Sequence, residues 1–380
     1  MLLLFLIQME KAKKSQREDF PEGITECGAD ALRFGLLAYT TQGRDVNLDI
    51  KRVVGYRQFC NKLWNAVRFA LAYVADYQPQ PSSHLEIHGA AGVSLRDLYI
   101  LSLLNTTIKD VNRLFTDYQF GAATSALHSF FLYEVCDVYL ELLKPVFTDM
   151  SESNLDRRRC AQATLYTVLE QYLRLTHPLM PFVTEELWQR LPNRTSLTSI
   201  PSIIIAPYPE ELPAWHRPDV EANMQLVKSA IDGARSLRAE YKVANHVKVE
   251  FYFRTESSAI KAALLAQEDD FCTLAKASFL RALAADDEAP KSCSLVVLSD
   301  QLSLLVNLSG IIDIENEILR LTKEFDRLSP SIEVYRRKLA MPGNDKVPET
   351  VKQANIEKLA AMEVEIEAIT KAIEAYKLMK

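Results

Sequence analysis

Residues 59–69 read Phe59-Cys60-Asn61-Lys62-Leu63-Trp64-Asn65-Ala66-Val67-Arg68-Phe69. Phe59, Leu63 and Val67 recur every four residues, so the stretch predicts an amphipathic helix whose inner face those side chains supply. Asn61 and Asn65 stand one turn apart and offer amide donors and acceptors. Lys62 and Arg68 add charge, and Trp64 adds a ring. Widening the window to residues 42–69 collects Arg44, Lys51, Arg52, Arg57, Lys62 and Arg68 against Asp45 and Asp49, an excess of four positive charges. The whole chain of 380 residues carries a formal net charge of −6. A chain acidic overall does not hold nucleic acid through bulk charge, so any RNA contact must use a local basic face. Cations neutralise phosphates, and aromatic or guanidinium planes stack on unpaired bases, so Arg44, Asn47, Arg57, Phe59, Asn61, Lys62, Trp64, Asn65 and Arg68 are the candidate RNA-binding residues. The plainer alternative makes Phe59 and Trp64 core residues.

Around this segment the periodicity is helical from about residue 30 to about residue 191. Leu98, Leu101, Leu104, Ile108, Val111 and Phe115 mark one apolar stripe, and Leu165, Val168, Leu169, Tyr172 and Leu173 another. Stripes of this kind must pack on one another, which predicts a helix bundle. Residues 77–83 hold two prolines and two serines and read as a loop, and residues 193–218 read as an extended connector. Pro178 and Pro181 end one helix before another, with Thr184 as its expected cap and Trp188 buried. Residues 219–241 read as a helix, on one side of which Arg235, Arg238 and Lys242 suit either phosphate contact or, the plainer choice, a solvated face. Val247, Val249, Phe251 and Phe253 then alternate with polar residues, the mark of a strand. Residues 295–298 and 302–308 read as two further strands, with helices near 258–267 and 269–277, making a small α/β module. Ile314, Ile318, Leu321, Phe325, Leu328 and Ile332, and again Leu359, Met362, Ile366 and Ile369, step by threes and fours. This predicts a coiled coil broken at Met341-Pro342-Gly343 and folded back as an antiparallel hairpin, with a kink at Pro330. The fold class is therefore mainly α, with the bundle, the small α/β module and the hairpin in that order.

Chemistry-bearing patterns are sparse. The six cysteines are widely spaced and form no CxxC pair, as expected of isolated buried thiols. His84 and His88 have a spacing some metal sites use, but no third ligand accompanies them, so no metal is expected. No glycine-rich phosphate loop, GxSxG or HExxH occurs. The apolar residues 1–7 are too short to span a bilayer and suggest a misplaced start, so no membrane partner is expected.

Three linked signatures, Gly28-Ala29-Asp30-Ala31-Leu32-Arg33-Phe34, Gln42-Gly43-Arg44-Asp45-Val46-Asn47-Leu48-Asp49 and the 59–69 stretch, resemble the valyl-tRNA synthetases where the catalytic domain hands over to the anticodon-binding domain. His177-Pro178-Leu179-Met180-Pro181-Phe182-Val183 and Arg336-Arg337-Lys338-Leu339 extend the resemblance to the end of the bundle and to the family's C-terminal arm. It implies a linker remnant over 1–27, a helical anticodon-binding domain over 28–218, the module over 219–310 and a tRNA-binding arm over 311–380. Lys323, Arg327, Arg336, Arg337 and Lys338 are then the candidates for the outer corner of tRNA, and Asp30 and Arg33 are expected to fix the domain junction. The family's two activating signatures, a His-Ile-Gly-His type and a Lys-Met-Ser-Lys-Ser loop, are absent. The resemblance thus implies a valine–tRNA ligase whose ATP, with magnesium, belongs to a catalytic domain outside this chain. The chain would contribute recognition of valine-specific tRNA, with no catalytic residue or cofactor of its own, and no DNA partner, as part of a monomeric cytoplasmic enzyme. The alternative is a free-standing synthetase-derived RNA-binding or scaffold protein.

Overall fold

We used a computed structural model, which describes residues 2–41, 48–79, 92–192, 200–284, 287, 290, 292–311 and 314–340, and scattered residues between 353 and 377. For residues 2–7, 41, 314–317, 320, 321, 324, 338 and 340 only the backbone is described. The chain forms two compact bodies, Met1–Met224 and Gln225–Lys380.

In the first body α1 (Leu2–Asp19) precedes α2 (Ala29–Ala38), the long α3 (Ile50–Val74), α4 (Leu95–Thr116) and α5 (Phe120–Ser129). The chain then runs through a π-helical segment, Phe130–Tyr139, into α6 (Leu140–Thr148), α7 (Leu155–Thr176) and α8 (Pro181–Gln189). The periodic leucines and aromatics of α3, α4 and α7 converge in one core, with Leu63, Leu104, Leu169 and Tyr172 fully enclosed. Each such side chain contributes about 1.5–3 kcal/mol by leaving water. Buried carboxylates tie elements together. Asp97 begins α4 by accepting from the Ser94 backbone N–H at 3.1 Å and holds the π segment by accepting from Tyr139 Oη at 2.8 Å. Trp188 is buried as expected, and its indole donates to Glu170.

Two expectations need correction. Thr184 does not cap α8. Its hydroxyl bonds back to Met180 O at 2.7 Å and meets His177 Nδ1 at 2.8 Å, while the α8 amides are capped from α2. The connector is not wholly extended, because single turns at Ile203–Ile205 and Pro213–Trp215 bury Ile203 and Trp215 against the bundle. The π segment left no mark in the apolar pattern, since its wide turn is set by packing.

The second body follows from α9 (Pro218–Glu240), which begins in the first. It comprises β1 (Val249–Arg254), α10 (Ser258–Ala266), α11 (Glu268–Ala275), β2 (Ala277–Leu283), β3 (Cys293–Ser299), β4 (Leu302–Asn307) and α12 (Ile314–Ala340). The strand order is β2-β1-β4-β3, with β1 and β2 parallel and the other neighbours antiparallel. Val249, Phe251 and Phe253 are buried, as the alternation predicts. Strand β2 was not foreseen: only Ala277 and Leu280 are buried along it, so no period of two is visible. Its register against β1 is irregular at Val249/Glu250, and it lies at the sheet edge. Helix α12 runs through Pro330, and the described residues between 353 and 377 are helical. Arg336 meets Glu363 at 2.7 Å across those two stretches, and Ile332 and Ile369 are both buried.

Candidate RNA-binding face

Helix α3 starts where Asp49 accepts from the Lys51 amide at 2.8 Å. Val53, Phe59, Leu63, Val67 and Ala70 face the core. The opposite side is open, with Arg57, Asn61, Lys62, Asn65 and Arg68 exposed. Arg57, Asn61, Trp64 and Arg68 fall at steps of four, three and four, so they form one stripe. Lys62 lies on the other flank, and Asn65 lies between.

Helix α2 and the start of α8 fix one side of this face. The Asp30 carboxylate accepts from the Phe182 and Val183 amides at 3.1 and 2.7 Å, which caps α8. Arg33 donates to Pro178 O and Leu179 O at 3.0 and 3.3 Å. Asp30 and Arg33 are thus ties between α2 and the α7–α8 turn. Between these elements opens a cleft of about 580 Å³ walled by Asp30, Arg57, Asn61, Trp64 and Phe182. Trp64 is half-buried and its ring is covered at 5.1 Å by the Arg190 guanidinium.

The cations of α3 are not equivalent. Lys62 Nζ lies 3.0 Å from Asp137 Oδ1 of the π segment, and the Arg52 guanidinium sits 4.5 Å above the Tyr39 ring. Among the described residues Arg57 and Arg68 have no ion-pair partner, so the stripe carries two uncompensated positive charges. Sequence reasoning missed Asp137 and Arg190, which are distant along the chain and carry no local signal.

Phe59, expected among the RNA contacts, is only 4% exposed. It packs on Phe34, Phe131 and His128, with ring centroids 5.7, 6.1 and 4.7 Å away. It is core, because its four-residue spacing with Leu63 places it on the inner face. Burial, with the nearby Lys62 charge, lowers the His128 pKa. Burial pushes the Cys60 thiol up to about 11, and all six cysteines are free thiols. Arg44, Asn47, His84 and His88 lie outside the described residues. On α12, Lys323, Arg327, Arg336 and Arg337 are exposed, and the Lys338 side chain lies outside the described residues. Arg336 is engaged by Glu363 and Glu333. Among the described residues no helix is long and apolar enough to cross a membrane.

Residues 97–252 match the anticodon-binding domain of tRNA ligases, and residues 313–377 match the valyl tRNA synthetase tRNA binding arm. The chain belongs to the valyl-tRNA synthetase family. It is similar to the valine–tRNA ligase of Rattus norvegicus, with 42% identity over 98% of this chain and 29% of that protein. The Takifugu rubripes valine–tRNA ligase is 39% identical over 98% of this chain and 31% of its own length. That of Caenorhabditis elegans is 38% identical over 97% of this chain and 35% of its own length. The chain thus spans about a third of these relatives and corresponds to the C-terminal portion of a valyl-tRNA synthetase.

Proposed function

We propose that this chain binds valine-specific tRNA for a valine–tRNA ligase, reading the anticodon loop over residues 28–218 and holding the outer corner through an arm over 311–380. The observation that carries the reading is the exposed stripe of Arg57, Asn61, Trp64 and Arg68 on a rigidly docked helix. The guanidinium groups of Arg57 and Arg68, unpaired among the described residues, reach for phosphates, while Asn61 and the half-buried Trp64 offer an amide and a ring to a splayed base. Arg44 and Asn47 precede the same helix and belong to the same reading, as do Lys62 and Asn65 at its edge. Lys323, Arg327, Arg336, Arg337 and Lys338 would supply the corner contacts, whose grip is weak and salt-sensitive because acids are interspersed.

In the intact enzyme, ATP with magnesium and valine would be handled by a catalytic domain outside this chain, in the cytoplasm. The chain's own work is binding and orientation. A filter-binding titration tests this: the 380-residue chain should hold valine tRNA more tightly than a tRNA with an altered anticodon. Equal affinity for both would remove the anticodon-reading role. No valine-dependent pyrophosphate exchange is expected from the isolated chain, and measurable exchange would overturn the division of labour.

A further inference from the structure

The second body carries a basic cleft, one wall of which, Leu274 to Lys276, lies outside both family matches. It has a volume of about 630 Å³ and lies where α9 and α11 end. Arg235, Arg238, Lys242 and Lys276 line it, and no carboxylate does. Asp232, which does not line it, lies 3.8 Å from Arg235. In a chain of net charge −6 this is a concentrated positive site.

The four cations do two different jobs. Arg238 is buried, contrary to the solvated face expected for it. It donates to the carbonyls of Ala244 at 2.9 Å, Val247 at 3.0 Å and Lys276 at 3.3 Å. Arg235 donates to Leu274 O at 3.3 Å. These two arginines satisfy carbonyls that chain turns and helix ends leave open. Lys242 and Lys276 are not used this way. Both are exposed, and among the described residues neither ammonium has a hydrogen-bond or ion-pair partner. Lys242 follows α9 with its amide bonded to Ala239 O, while the Val243 amide bonds to Arg238 O. That pairing is the Schellman arrangement, whose left-handed position is ordinarily glycine. Lys242 holds it at φ 51°, and Lys276 ends α11 at φ 55°. Two helix ends thus each present a lysine where glycine would suit the backbone better.

We infer that this cleft is a further RNA-binding site, in which Lys242 and Lys276 hold backbone phosphates of the bound tRNA. The inference rests on the tRNA-binding reading above. Unpaired, solvated ammonium groups suit phosphate neutralisation without base selection, because they carry charge but no fixed donor fork. The buried Arg238 is a positioning residue, which fixes the two turns and adds field to the cleft floor. Lys276 falls outside both matched family regions, which end at residue 252 and begin again at residue 313.

The test is the salt dependence of binding, with the 380-residue chain and a full-length valine tRNA transcript as probe. Each phosphate contact contributes about 0.7–0.9 to the slope of log K against log salt, so Lys242→Gln with Lys276→Gln should lower it by about 1.4–1.8. Lys242→Arg with Lys276→Arg should restore it. Lys276→Gln alone, at an exposed turn, should lower the slope by about half as much and keeps the test sound if the double variant misfolds. An unchanged slope in the folded variants, with Arg57→Ala and Arg68→Ala still weakening binding, overturns the cleft and leaves the anticodon reading standing. Failure of the parent chain to bind tRNA overturns both.

Discussion

The Lys62 ammonium and the Asp137 carboxylate pair at 3.0 Å, joining the outer edge of α3 to the π-helical segment. Both side chains are roughly half exposed, so the pair adds at most about 1 kcal/mol to stability. Its effect is on charge: it withdraws one cation from the positive edge of α3. Asp137→Asn should leave the melting temperature nearly unchanged and tighten tRNA binding several-fold. An unaltered or weaker affinity in a filter assay would mean that Lys62 faces no phosphate.

Arg57 and Arg68 hold the free charge of the stripe. Arg57→Ala with Arg68→Ala should lower tRNA affinity about tenfold and flatten its salt dependence. Circular dichroism should show the bundle intact, because both side chains are exposed. Undiminished binding by a folded variant would place the anticodon on another surface.

Phe59→Ala should behave in the opposite way. Removing a ring packed on Phe34 and Phe131 leaves a cavity and costs about 3–5 kcal/mol, read from a shifted urea midpoint. The fraction that remains folded should bind tRNA as the parent does. A large loss of affinity with unchanged stability would return Phe59 to the interface.

Acidification should destabilise the first body. Burial lowers the pKa of both His128 and His177. As pH falls through about 6.5 the unfolded chain takes up protons at these rings before the folded chain does. Stability is therefore full above that range and declines below it. His177→Asn, which retains a polar partner for Thr184, should flatten the decline between about pH 7.5 and about pH 5.5. Equal melting-temperature drops in parent and variant would remove His177 from the effect.

Gly92 precedes the Ser94 cap of α4 at φ 86°, and a Cβ there would lie 2.6 Å from the Arg157 nitrogen at the start of α7. Gly92→Ala should cost about 1–3 kcal/mol through strain and backbone collision, seen as a lower melting temperature. A neutral substitution would show that this turn yields easily.

Much of the fold was legible because its cues are local. The four-residue spacing of Phe59, Leu63 and Val67 makes α3 amphipathic wherever it docks. The alternation from Val249 to Phe253 makes a strand in the same sense. Strand β2 was hidden because its own residues bury at no regular interval. The site was legible only in part. Residue types nominated Arg57, Asn61, Trp64 and Arg68 together with Phe59 and Lys62, and could not separate them.

Sequence alone determined the helical character of 59–69, the basic excess around it and the change to strands after residue 246, since periodicity and charge belong to neighbouring residues. Tertiary structure alone decided which α3 cations remain free. Asp137 is 75 positions from Lys62, and the α8 amides that engage Asp30 lie more than 150 positions from it. The same holds for the basic cleft, where the ends of two separate helices bring Lys242 and Lys276 to one opening. Partners at such separations meet only when the chain packs, so no local pattern records them.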